Sequence, residues 1–235
     1  ATVHQWIVKA TDGHTKEKPI DKRTCVRVRY AGQYHVDLPS YGELNGQYLL
    51  AVKGEPKWPH SDPLALTAWF KTQVNLYGEQ LRRIVRYLKA WGDFQSERRG
   101  EMPSGLILTV LAANYFHGHE RDDFAFAKTL EAISNAIGTF VYVLNPVDTS
   151  EELSARLTGT QKSRFQDAVQ TAADDAIKAI TMEENHEASK LWRKQLGDRF
   201  PLVEKKANNS IQQQTAAGIA AFHSRSNPPK PWGWR

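Results

Sequence analysis

Residues 25–41, CVRVRYAGQYHVDLPSY, alternate apolar and polar side chains on both sides of Ala31-Gly32. A period of two marks a half-buried strand. The stretch therefore reads as a β-hairpin, with Cys25 to Tyr30 going out and Gln33 to Leu38 coming back. Pro39 ends the second strand because it has no N–H to give a ladder. A lone hairpin is marginal in water, so this one must pair with strands from elsewhere, and the chain offers no other convincing ones. On the N-terminal side, Val3, Trp6, Ile7 and Ala10 fall at helical spacing, followed by a polar loop from Asp12 to Lys22.

On the C-terminal side the pattern changes to a period near 3.6. Ser61 or Asp62 can cap a helix with Pro63 in its first turn. Leu81, Ile84, Val85, Leu88 and Trp91 line one face of the next helix. Met102-Pro103-Ser104 introduces a third, Gly105 to Phe116, apolar nearly all round and hence central. Further helices are expected over Asp123–Gly138, Glu151–Leu157, Gln161–Thr181 and Glu184–Leu196, with Gly197 as a stop. After Phe200 the pattern dissolves into KKANNSIQQQTAAG and a proline-rich end, NPPKPWGWR, which reads as a mobile tail, stiff near its end.

The 235 residues are 40% hydrophobic and 24% charged, which suits one large domain or two small ones. No apolar run approaches the ~20 residues that span a bilayer. The single cysteine, Cys25, cannot form an internal disulfide, which points to a reducing compartment and so to the cytoplasm. The formal charge of +5 is uneven: residues 1–100 carry +6 and residues 101–235 carry −1. The basic part would attract phosphates, yet the charge is far below that of a dedicated nucleic-acid binder, and no nucleic-acid motif accompanies it.

His35 and Asp37, two apart on a strand, point to one face. They read as a cation site or as the solvated side of a half-exposed strand. Arg82, Arg86 and Lys89, with Arg83 alongside, form a basic helix stripe: a phosphate clamp or a solvated face. Lys89 differs from the others because it lies beside the apolar seam of Leu88 and Trp91, from which an ammonium could enter a cleft. His117, His119, Asp122 and Asp123 lack metal-ligand spacing and read as structural or solvated. Cys25 and Trp58, Trp69 and Trp91 read as core residues.

The strings KRTCVRVRYAGQYHVDLPSY, KWPHSDP, LRRIVRYLKAWGDF, MPSGLILTVLAANYF and LWRKQLGDRFP run in that order from Lys22 to Pro201. Together they resemble the cGAS/DncV-like nucleotidyltransferases of bacterial antiphage signalling, on the side of the cyclic GMP–AMP synthases. The resemblance implies an α+β, polymerase-beta-like fold, with a mixed β-sheet catalytic lobe facing an α-helical lobe. Residues 1–60 would be the C-terminal part of the catalytic lobe, 61–200 the helical lobe and 201–235 the tail. It implies a cyclic di- or trinucleotide synthase that uses nucleoside triphosphates, ATP and GTP among them. Three carboxylates would hold two Mg²⁺ ions that activate a ribose hydroxyl and stabilise the α-phosphate as pyrophosphate leaves. The third of these carboxylates falls at Asp37. Arg27 matches a nucleotide-contacting arginine, Ser61 a base-contacting residue, Lys89 the lysine that grips a triphosphate, and Ser104 the serine that assists it at a helix start. An accessory protein acting on the C-terminal tail is a further implied partner.

The family's Gly-Ser and Asp-x-Asp motifs, expected before the helix at Val3–Ala10, are absent from the sequence. The reading that follows is a C-terminal piece of a longer enzyme. The alternative is a catalytically inactive nucleotide-binding or scaffold relative, since one carboxylate cannot hold two Mg²⁺ productively.

Overall fold

The computed structural model describes residues 2–31 and 34–205. Thr2 starts the first helix, α1 (Val3–Thr11), through a capping box with Gln5: each residue's side chain bonds the other's backbone N–H. Three strands follow, β1 (Ile20–Asp21), β2 (Val26–Arg29) and β3 (His35–Leu38), in one antiparallel sheet ordered β1-β2-β3. Val26 and Val28 are buried and α1 packs on the β1–β2 ladder. The register pairs Arg27 with Asp37 and Arg29 with His35, so these four side chains share the opposite, solvent-facing side. The Tyr30 N–H donates to the Tyr34 carbonyl at 2.8 Å and closes the hairpin one residue later than the alternation around Ala31-Gly32 suggests.

The expectation of no further convincing strand is wrong. Tyr41–Leu44 (β4) and Gln47–Leu50 (β5) form a second antiparallel pair. Asn45 and Gly46 join them, both at positive φ (53° and 76°), the two-residue turn whose twist matches that of paired strands. A third pair, β6 (Leu144–Asn145) and β7 (Asp148–Glu152), occupies the connection between two expected helices and takes the start of the second, so that the predicted helix Glu151–Leu157 shrinks to a 3-10 turn over Leu153–Arg156. Local side-chain bonds explain it. Asn145 Oδ1 accepts the Val147 N–H at 3.1 Å, and Ser154 Oγ accepts that of Val143 at 3.0 Å, so the backbone is tied into a hairpin before a helix can start.

The helices otherwise fall where the periodicity puts them: α2 (Pro63–Tyr77), α3 (Glu79–Arg99), α4 (Gly105–Asn114), α5 (Asp122–Ile137), α6 (Gly159–Thr181) and α7 (Asn185–Leu196). Asp62 is the cap of α2, accepting the Ala65 N–H at 2.8 Å, with Pro63 at the first position. α4 is central, with Ile107 to Ala113 buried without a break. Leu81, Ile84, Val85, Leu88 and Trp91 of α3 join it in one core with α5, α6 and α7. Cys25 is buried as expected, and burial pushes its thiol pKa up. Trp91 is buried and Trp69 half-buried, but Trp58 is a correction. It is 41% exposed, lying over Gly42 of β4 where a side chain would meet its ring at 3.1 Å. Most of the tail, residues 206–235, lies outside the described residues, and with it the reading of a mobile end. No helix among the described residues is long and apolar enough to cross a membrane.

Candidate functional site

Two of the expected residues meet on the β2–β3 face. Arg27 Nε donates to Asp37 Oδ1 at 2.6 Å and Nη2 to Oδ2 at 2.7 Å, a planar fork on both carboxylate oxygens. That contact holds the Asp37 carboxyl below its ordinary range, against a smaller opposing effect of burial. His35 Nε2 stands 4.0 Å from Asp37 Oδ2. Beyond them, Arg29, Tyr30, Tyr34, Glu17 and His35 line with Arg27 a hollow of about 410 Å³. Tyr30 and Tyr34 stack there with centroids 4.9 Å apart. Asp37 is the one carboxylate on the β2–β3 strand face, and the described residues gather no group of three His, Cys, Asp or Glu around a common point. Those residues do not by themselves fit a pair of Mg²⁺ ions. A cation at Asp37 would compete with the Arg27 fork for the carboxylate.

A second pair meets at the start of α4. Ser104 is its cap, accepting the Ile107 N–H at 3.5 Å, and the Gly105 and Leu106 N–H groups begin the helix with no partner within it. Lys89 reaches this turn from α3. The close approach is set one turn further along, where Gly92 of α3 faces Leu108 of α4 so tightly that a Cβ at 92 would stand 2.7 Å from Leu108 Cδ1. Lys89 as a residue keeps exposed surface. Its amine end is nevertheless packed closely enough that burial lowers its pKa, with Asp93 offsetting the effect only through space. Among the described residues Lys89 forms no ion pair. An ammonium set against the positive end of a helix dipole, without an anion between them, is an electrostatic arrangement that an anion completes.

Ser61 is half-buried just before α2, its N–H on the Tyr48 carbonyl at 2.9 Å. Among the described residues no hydrogen bond links Ser61, the Arg27–Asp37 pair and the Lys89–Ser104 turn to one another. Of the remaining basic stripe, Arg86 is exposed and the other two arginines are paired. Arg82 bonds Glu79 at 2.9 Å and lies over Phe70, while Arg83 is bound by Asp122 at 2.6 and 2.9 Å. The His117–Asp123 loop is structural: His119 Nδ1 accepts the Arg121 N–H, and Asp122 is the hub of a bond network with Gln80, Arg83 and Tyr87. The sequence reading missed Gly105 and the Tyr30–Tyr34 pair. The hairpin's alternation could have flagged Arg29 as the neighbour of Arg27 on the same face.

Comparison with known proteins places the chain in a family. Residues 78–208 match the family model "Cyclic GMP-AMP synthase, C-terminal domain" and residues 1–41 match "Cyclic GMP-AMP synthase DncV-like, nucleotidyltransferase domain". A cyclic GMP-AMP synthase of Escherichia albertii is 29% identical over 140 residues, covering 57% of this chain and 30% of its own. A cyclic AMP-AMP-AMP synthase of an Acinetobacter species is 25% identical over 215 residues, covering 84% and 62%. Among solved structures, the Vibrio cholerae DncV cyclic AMP-GMP synthase in complex with a linear intermediate superposes with a TM-score of 0.67 at 23% identity, over 81% of this chain and 57% of that one. The fold is thus that of the DncV nucleotidyltransferases, and the chain spans less than two thirds of the length of each of these relatives.

Proposed function

The chain belongs to the DncV-like cyclic GMP–AMP synthase family, and from that premise we propose that it binds nucleoside triphosphates for nucleotidyl transfer to a cyclic di- or trinucleotide. The observation that carries this reading is the Lys89 ammonium, unpaired among the described residues, against the first turn of α4 beside the Ser104 cap. Lys89, the free N–H groups of that turn and the Ser104 hydroxyl would take the phosphate tail. On the sheet, Arg27 offers the nucleotide a guanidinium, and a phosphate drawing Arg27 away would release Asp37. Bound Mg²⁺ would supply activation of the attacking ribose hydroxyl and charge neutralisation at the α-phosphate. Asp37 would contribute one carboxylate to holding it. Ser61 is assigned to the base.

We place residues 1–60 in the catalytic lobe, 61–200 in the helical lobe and 201–235 in the tail, the last as a target for an accessory protein. The lone Cys25 supports a cytoplasmic setting, and the family resemblance supports a messenger role in antiphage defence.

Two measurements test the reading. Calorimetric titration with ATP and with inorganic tripolyphosphate should give binding that Lys89→Ala weakens about tenfold or more, the worth of a charge-assisted hydrogen bond. Equal binding by wild type and Lys89→Ala would refute the site. With Mg²⁺ and labelled ATP and GTP, the synthase reading expects a phosphatase-resistant product that Asp37→Asn abolishes. Binding of triphosphate with no product is the outcome that assigns a binding or scaffold role instead.

A further inference from the structure

We propose that Gly105 is a positioning residue for the phosphate tail: by presenting no side chain, it lets the Lys89 ammonium lie against the first turn of α4. The proposal rests on the triphosphate reading of Lys89 and Ser104 and deepens it.

Gly105 is the first residue of α4 and does not have the positive φ that would call for glycine. Its carbonyl accepts the Thr109 hydroxyl at 2.6 Å, a bond any residue could make. Glycine also disfavours a helix relative to alanine. Backbone geometry therefore gives no reason for it. Space does. Outside its chain neighbours and the adjoining helix backbone, the three heavy atoms nearest to a Cβ built at position 105 all belong to Lys89: Cε at 3.2 Å, Nζ at 3.6 Å and Cδ at 3.7 Å. A contact of 3.2 Å between carbons is well inside the optimum of roughly 3.5–4.0 Å, so one partner must yield. The α4 backbone cannot yield, because seven consecutive residues from Ile107 are anchored in the core. The lysine stem can, since it is flexible and its residue surface is exposed. A methyl group at 105 thus leaves the fold intact and pushes the lysine stem outward by a few tenths of an ångström, away from the first-turn N–H groups.

This separates the role from a packing role in a way that can be read. Gly105→Ala should melt at a temperature no lower than wild type, because it adds helix propensity and meets only a movable side chain. It should also weaken tripolyphosphate binding by about three- to tenfold, a partial loss of one charge-assisted contact. In a Lys89→Ala background the same substitution should change affinity by less than about twofold, because the two residues act as a unit. With ¹⁵N-labelled lysine, the Nζ resonance of Lys89 should titrate at higher pH in Gly105→Ala than in wild type, its amine having moved toward water. Equal losses of affinity in both backgrounds would overturn the proposal, as would a Lys89 titration that Gly105→Ala leaves unmoved. If the titration moves while no variant, wild type included, binds tripolyphosphate, the triphosphate reading itself falls and the positioning role falls with it.

Discussion

Asp122 is the residue whose removal should cost the helical lobe most among its charged groups. Its two oxygens receive four bonds: Arg83 Nε at 2.6 Å and Nη2 at 2.9 Å, Gln80 Nε2 at 2.9 Å, and the Tyr87 hydroxyl at 3.0 Å. It also stands in the first turn of α5, where a carboxylate opposes the helix dipole favourably. The Gln80 and Tyr87 bonds are worth about 1 kcal/mol each, and the helix-start charge about 0.3–1 kcal/mol. The Arg83 pair is open to solvent on the arginine side and adds little that screening does not remove. Asp122→Ala should therefore lower stability by about 2–3 kcal/mol at neutral pH.

The acid limb gives an independent check. The Arg83 contact, ahead of the other bonds, holds the Asp122 carboxyl well below the usual carboxylate range. A group with a depressed folded pKa contributes stability above its unfolded pKa of ~3.9 and loses it as pH falls toward the folded value. Urea unfolding of wild type and Asp122→Asn at pH 7 should thus differ, and the gap should close by about 1.4 kcal/mol per pH unit below about pH 4. A pH 7 cost under about 0.5 kcal/mol for Asp122→Ala, the range of an ordinary surface change, would refute the hub assignment. So would a gap between wild type and Asp122→Asn that stays constant down to pH 3.

Two further outcomes follow from the same geometry. Gly92→Ala puts a methyl 2.7 Å from Leu108 Cδ1 and should destabilise by about 1–3 kcal/mol in urea unfolding, whereas a neutral result would mean α3 and α4 are free to separate. Arg27→Ala should raise the Asp37 pKa toward its ordinary value, seen by carboxyl ¹³C NMR, because the guanidinium fork is the leading cause of its depression. An Asp37 titration unchanged by that substitution would mean the fork is not formed in solution.

How much of this was legible differs by element. The helices of the C-terminal part were, because each carries a long apolar stripe whose period survives local exceptions; α4 is the clearest, with no polar face to confuse it. The β4–β5 hairpin carried its own signal in Asn45-Gly46, a turn pair that takes positive φ at both positions, but its strands are four residues each and bury none of their side chains fully, so their alternation is faint. β7 was missed, and its last two residues taken for helix, because Asp148–Glu152 holds no apolar residue at all; what makes it a strand is the ladder to Leu144 and Asn145 and the Asn145 side-chain turn, neither of which is periodic. The contact of Gly105 with Lys89 was out of reach for a different reason. It exists because α3 and α4 approach at Gly92, a tertiary distance that no local pattern encodes.

The pairing at the sheet shows how finely such a site depends on register. A hairpin turning at Ala31-Gly32 pairs Cys25 with Leu38, which sets Arg27 opposite Val36 and sends Arg27 and Asp37 to different faces. The observed ladder pairs Val26 with Leu38, one residue away, and puts Arg27 directly opposite Asp37. A one-residue slip exchanges the two faces of a strand. Here it decides whether the carboxylate stands alone or in a guanidinium fork, and so whether a cation arriving at Asp37 meets a free ligand or a competitor. Residue types alone could nominate Asp37 and Arg27 separately. That they hold each other is a property of the register, and any ligand at this face has to act on the pair.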